Sequence, residues 1–172
     1  MPKIQNESQL QAAIAQALEP VINRVLEKIV EDNRDLIQEY IYDNDTPEMY
    51  ERTEEFKEAW ETQSAEVTGD HVRGQFSYAP DKMSVDPGAF QHGSYYYNPN
   101  DIREYLADII YQGGAGPLFG EGFWRNKRDV WNRLIKHLGK RRLLSYVSEA
   151  LQAEGIAFKR DVTASLQVTT TE

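Results

Sequence analysis

Hydrophobic residues near the start of the chain recur at steps of mostly three and four. They are Leu10, Ile14, Leu18, Ile22, Val25, Ile29, Leu36, Ile37 and Ile41. This period is that of one helix face, so it predicts a long amphipathic helix within residues 1–44 with its apolar face buried. Ser8-Gln9-Leu10-Gln11 fits a capping box and predicts a start near Gln9. Pro20 predicts either a kink or two nearly collinear helices.

The pattern then changes to shorter segments. Val67-Thr68 and His71–Tyr78 predict two strands about a Gly69-Asp70 turn, with Val72, Gly74, Phe76 and Tyr78 on one face. A segment rich in Pro, Gly, Asp, Asn and Tyr predicts a long loop at 79–100. Further helices are expected at 102–111, 127–138 and 141–154, closing strands at 156–158 and 166–168, and a tail at 161–172. Together they predict a single α+β domain over residues 1–172, in which an antiparallel sheet packs against helices.

Composition excludes several classes of protein. The 172 residues contain no cysteine, which removes a disulfide scaffold, thiol catalysis and thiolate metal sites. No stretch approaches the roughly 18 apolar residues of a membrane-spanning helix. The first twenty residues have no continuous apolar core, so no signal peptide is visible. We therefore expect a soluble protein made in a reducing compartment.

Charge is unevenly distributed along the chain. The net charge is −9, and residues 1–62 hold 6 basic and 15 acidic side chains. Residues 121–160 reverse the balance, with 10 basic and 4 acidic side chains. An acidic and a basic end suit head-to-tail contact between identical copies, and they also suit two solvated helix faces.

Motifs for metal or cofactor chemistry are incomplete. The three histidines lie far apart, and the glycines of 113–120 lack the ending of a phosphate-binding loop. We therefore expect no metal, no cofactor and no catalytic residue. Acidic residues such as Glu55 and Glu58 leave open an enzyme that acts on nucleic acid or cell wall. Trp124, Arg125, Lys127 and Arg128 mix cations with an aromatic ring, which leaves open a small DNA-binding accessory factor.

Two ordered segments resemble a known family. The first comprises Tyr42-Asp43, Pro47, Tyr50 and Arg52-Thr53. The second comprises Gln91-His92-Gly93, Asp101–Leu106 and Gly116–Gly120, followed by Phe123-Trp124 and Arg128. Over residues 8–160, their order resembles that in the tail-component, or neck, proteins of the head–tail connector of tailed bacteriophages. Asp45 departs from the pattern, where many relatives carry an aromatic residue, and so does Phe56, where an aliphatic residue is usual.

The resemblance implies a non-enzymatic virion subunit, made in the host cytoplasm. Such proteins form a ring, commonly six-fold, between the capsid vertex and the tail, and help to complete or join the tail. The implied partners are identical copies, a head-side adaptor or connector, and tail-tube or tail-terminator proteins. DNA would pass through an acidic lumen without specific binding, because like charges repel. No membrane is involved.

Eleven residues are the candidates for interfaces of this ring. Arg52 is expected to be a structural hydrogen-bond donor beside Tyr50 and Thr53. The loop residues His92, Tyr95 and Tyr96 are candidates for contact with a neighbouring ring, although the tyrosines also suit base stacking or cover of the core. The basic candidates and their aromatic neighbour are Trp124, Arg125, Arg128, Arg141 and Arg142.

Overall fold

Helices and a two-stranded hairpin make up the described part of the fold. The computed structural model describes residues 4–43, 54–68, 71–84, 102–112 and 128–157. The helices are α1 (Glu7–Ile37), α2 (Glu55–Glu58), α3 (Ile102–Gln112), α4 (Val130–Leu138) and α5 (Lys140–Ala153). The strands β1 (Trp60–Thr68) and β2 (His71–Tyr78) form an antiparallel two-stranded sheet. A π-helical turn, Gln38–Tyr42, follows α1, and a 3-10 turn, Pro80–Lys82, follows β2. The α+β class is confirmed.

Helix α1 runs without interruption through Pro20, but its start differs from the sequence prediction. Ser8 lies inside the helix, which begins at Glu7. The side-chain oxygen of Asn6 accepts the backbone N–H of Gln9 at 2.9 Å, and the Gln9 side chain accepts the N–H of Gln5 at 2.8 Å. The expected cap at Ser8 is therefore wrong, because Asn6 caps the helix two residues earlier.

Burial along α1 also departs from the predicted stripe at one end. Ile29 and Ile37 are buried as predicted, at 6% and 0% exposure. Leu10 and Ile14, by contrast, are 45% and 51% exposed. Every side chain from Ile4 to Ile14 is exposed, and the first buried one is Ala15. The first two turns thus continue the helix beyond the point where the rest of the described chain packs against it.

The hairpin carries the predicted face. Val72, Phe76 and Tyr78 are half-buried on alternate positions of β2. Gly74, on the same face, lets α1 approach closely, since a Cβ placed there would lie 2.5 Å from Leu26 Cδ1 and 2.7 Å from Ile22 Cγ2. The Asn23 side-chain oxygen accepts the backbone N–H of Ala65 at 2.9 Å and so fixes α1 to β1.

The chain divides into two compact units. The first comprises residues 1–31, 62–76 and 136–172, and the second comprises 32–61 and 77–135. In the first unit, Arg24 pairs with Glu154 and Lys28 with Glu149, both at 2.5 Å. The later residue of α1, Lys28, pairs with the earlier residue of α5, Glu149, so the two helices run antiparallel.

An aromatic cluster organises the second unit. It joins α2, both strands, α3 and α4 through Phe56, Trp60, Tyr78, Tyr111 and Trp131. Phe56 lies 6.1 Å from Trp60, 5.9 Å from Tyr78 and 6.2 Å from Tyr111, measured between ring centroids. Trp60 also stacks on Trp131 at 5.9 Å. Trp60 also contacts Tyr78 and Tyr111, so it has the most ring contacts in the cluster, and Phe56 packs beside it with three.

The later boundaries correct two predictions. Helix α4 begins at Val130 instead of Lys127, because Asp129 caps it by accepting the Asn132 N–H at 3.2 Å. Ile156 and Ala157 are not in a strand; the N–H of Ile156 donates to the carbonyl of Leu151 and closes the end of α5. The second predicted strand, at 166–168, and the tail lie outside the described residues, as does most of the loop 79–100.

Candidate assembly surfaces

A basic corner lies where α4 passes into α5. We define it by Lys136 in the last turn of α4 and Arg141 and Arg142 in the first turn of α5; all three side chains are exposed. The chain turns between the helices at Gly139, whose φ of 28° favours glycine. Five Lys or Arg residues and no acidic residue lie between Asp129 and Glu149 in the sequence. The corner therefore concentrates positive charge within about two helical turns.

The position of Arg141 and Arg142 is unfavourable for α5 itself. A helix N-terminus carries a partial positive charge and is stabilised by acidic side chains, with cations preferred at the other end. Helix α5 has no acidic residue in its first turn, and Gly139 provides no side-chain cap. The charge of Arg141 is thus not explained by the stability of the helix that carries it.

The three cations differ in their contacts. Arg142 Nε donates to the Tyr146 hydroxyl at 2.6 Å, and its guanidinium lies 5.5 Å from the centre of that ring. Within the described part of the chain, Lys136 and Arg141 take part in no ion pair. The charges of Lys136 and Arg141 are therefore available to solvent or to a partner, whereas Arg142 also forms a hydrogen bond within α5.

A second exposed surface lies at the N-terminal end of α1. We call residues 4–14 the α1 arm. Its large apolar side chains are Ile4, Leu10 and Ile14, between 45% and 51% exposed. Glu7 is the only charged residue among its eleven. The arm is thus weakly charged in a chain that is 27% charged, and it exposes three large apolar side chains among polar ones.

The predicted interface residues fall into two groups. Arg128, Arg141 and Arg142 are described; the others, Tyr50, Arg52, Thr53, His92, Tyr95, Tyr96, Trp124 and Arg125, lie outside the described residues. Arg128 is half-buried, and its backbone N–H donates to the carbonyl of Ile110 at 3.2 Å, which links the end of α3 to the start of α4. The structure brings Arg141 and Arg142 together with Lys136, a residue that sequence reasoning missed. The stretch between Asp129 and Glu149, which contains no acidic residue, is the sequence feature that indicates Lys136.

The two carboxylates of the enzyme alternative take part in internal contacts. Both oxygens of Glu55 accept hydrogen bonds from Ser84, one from its hydroxyl at 2.5 Å and one from its backbone N–H at 2.8 Å. These bonds, the hydroxyl's first, lower the pKa of Glu55, which keeps it charged. A general acid at neutral pH needs a raised pKa instead. Glu58 forms an ion pair with Arg34.

The described residues contain neither a metal-binding cluster nor a membrane-spanning helix. In these ranges, no group of three or more His, Asp or Glu side chains is arranged to hold a metal ion. None of the helices in the same ranges combines the length and the hydropathy needed to cross a membrane. None of the protein-family models, curated protein sequences or solved structures compared with the chain matches it.

Proposed function

We propose that the chain is a structural subunit of a tailed-bacteriophage virion, which forms a ring, six-fold as in the family it resembles, in the neck between the capsid vertex and the tail. Tyr42-Asp43, Pro47, Tyr50, Arg52-Thr53 and the later ordered motifs support the family. The basic corner supports assembly as the role. In this proposal the ring joins or completes the tail, and DNA passes through its lumen.

The observation that carries the proposal is the exposed charge of Lys136 and Arg141. These cations form no ion pair with the described residues, and Arg141 lies where the α5 dipole disfavours it. Exposed charge that no internal ion pair neutralises is available to a partner of opposite charge. Because the chain as a whole carries −9, an identical copy supplies an acidic partner at the same concentration. Contact between two different surfaces of identical copies generates a ring when the rotation closes.

The proposal is tested first on the purified chain. Light scattering across protein concentration and salt should give a discrete oligomer that dissociates as salt rises, since salt screens exposed charges. Arg141→Glu should weaken the oligomer, whereas Arg73→Glu, an equal change of charge at an exposed position of β2, should not. Arg141 is preferred to Arg142 as the probe because Arg142 also binds Tyr146.

A second measurement addresses the virion. Antibody labelling of purified particles of the phage that encodes the chain should place it at the head–tail junction. Absence of the chain from purified particles would overturn the proposal, whatever the oligomeric state in solution.

A further inference from the structure

We infer that the surface facing the basic corner in the ring is the outer face of α1 on the next copy, at Glu27 and Glu31. This inference rests on the proposed function, because it names the partner of the same assembly surface. It specifies a heterologous contact in which Lys136 and Arg141 of one copy approach Glu27 and Glu31 of its neighbour.

The acidic residues of α5 are paired within the chain, and the exposed carboxylates that lie four residues apart on α1 in the first unit are Glu27 and Glu31. Helix α5 carries Glu149 and Glu154, and α1 neutralises both through Lys28 and Arg24. Glu27 and Glu31 remain exposed, and neither forms a salt bridge within the described residues. They are four residues apart on α1, so they lie on one face, about 6 Å from each other. Two neighbouring carboxylates thus face outward, as two neighbouring cations do at the corner.

The first unit contains both surfaces. Glu27 and Glu31 lie in its α1 segment, and Lys136, Arg141 and Arg142 lie in its α4–α5 segment. A contact that uses two surfaces of one compact unit repeats the same rotation at every step. A repeated rotation gives a ring when it closes and an open filament when it does not, and the proposed ring is the closed case.

A nucleic-acid occupant of the corner is less well supported. Proteins that follow a phosphate backbone neutralise many phosphates, and their affinity depends on the number of cations. The corner offers two cations, Lys136 and Arg141, that form no ion pair with the described residues, on a chain of net charge −9. An identical copy supplies two carboxylates, Glu27 and Glu31, one for each of these two cations.

Cross-linking tests the contact directly, because the chain contains no cysteine. Glu31→Cys and Arg141→Cys are prepared as separate variants, mixed, and treated with a short bismaleimide. We expect covalent dimers in the mixture and far fewer from either variant alone. Glu66→Cys, at an exposed position of β1, replaces Glu31→Cys as the matched control and should give few dimers with Arg141→Cys. If the chain assembles only on partner rings, the same cross-linking reaction is carried out on assembled particles.

Charge exchange gives an independent readout. Arg141→Glu and Glu31→Lys should each weaken association about tenfold or more, because each places like charges across the contact. The variant that carries both changes keeps the net charge of the chain, and it should recover most of the association. Arg73→Glu and Glu66→Lys are the controls of equal charge.

The outcomes separate the two proposals. If rings form and Glu31→Lys associates like Glu66→Lys, or if the double variant stays as weak as the single ones, the named contact is wrong and the ring proposal stands. Cross-links between two copies of the same variant indicate a two-fold contact and also overturn the inference. If the chain is missing from purified particles, the proposed function itself fails.

Discussion

Gly74 offers the sharpest test of the packing between α1 and the hairpin. Its backbone is not left-handed, so the glycine is required for space. In Gly74→Ala, the methyl group would lie 2.5 Å from Leu26 Cδ1 and 2.7 Å from Ile22 Cγ2, about 1 Å inside normal contact. Overpacking costs about 1–3 kcal/mol, and replacing a strand glycine returns about 0.5–1 kcal/mol. We expect a net loss of about 1 kcal/mol in the free energy of unfolding.

The energetic coupling between Gly74 and Leu26 is measured by urea unfolding of the wild type, the Gly74→Ala and Leu26→Ala variants, and the variant that carries both changes. Leu26→Ala alone should cost about 2–5 kcal/mol, because it leaves a cavity beside the strand. In that background, Gly74→Ala should cost less than in the wild type, since its methyl group no longer meets Leu26 and only the close contact with Ile22 Cγ2 remains. The expected coupling energy is about 1 kcal/mol or more. Equal effects of Gly74→Ala in both backgrounds would refute the close approach, and Gln75→Ala on the exposed face serves as the control.

Three further predictions use other contacts. Ser84→Ala should destabilise the protein at neutral pH, and the difference from wild type in urea unfolding should shrink as pH falls through and below about 4.5, because the lowered pKa of Glu55 contributes only where the carboxylate is charged. Asn33 is fully buried and its amide has no hydrogen-bond partner among the described residues, so Asn33→Leu should raise the free energy of unfolding by about 1–2 kcal/mol; a loss in the same assay would refute this. Arg141→Glu should stabilise the isolated chain by about 0.3–1 kcal/mol at low salt, because a carboxylate suits the start of α5, and a destabilised variant would contradict this electrostatic argument.

Local pattern predicted those elements whose signals lie within a few residues. The alternation from Val72 to Tyr78 identified β2 and its face, and the glycines at 139 and 155 marked the two ends of α5. Helical period alone also predicted burial for Leu10 and Ile14. Period describes a face and does not specify which partner covers it, so these two positions are exposed although their pattern matches that of Ile29 and Ile37.

The contacts that define the candidate surfaces depend on residues far apart in sequence. Arg24 and Glu154 are 130 positions apart, and Lys28 and Glu149 are 121 apart. Only the fold shows that these pairs neutralise the charge between α1 and α5, and that Glu27 and Glu31 form no salt bridge with the described residues. The excess of positive charge around Arg141 was readable from sequence, whereas its distinction from Arg142, which binds Tyr146, was not.

Because the α1 arm is exposed, the free energy of local opening should differ between the two ends of α1. Amide hydrogens near Ile37 are released only when the core opens, but those near Leu10 need only the fraying of two exposed turns. A short helical segment without tertiary packing is marginal in water, so exchange near Leu10 should be fast on a helix that is continuous in geometry. A partner that covers Leu10 and Ile14 would slow exchange there and leave the rates at Ile37 unchanged. Protection of these first turns would thus report occupancy of the arm, residue by residue.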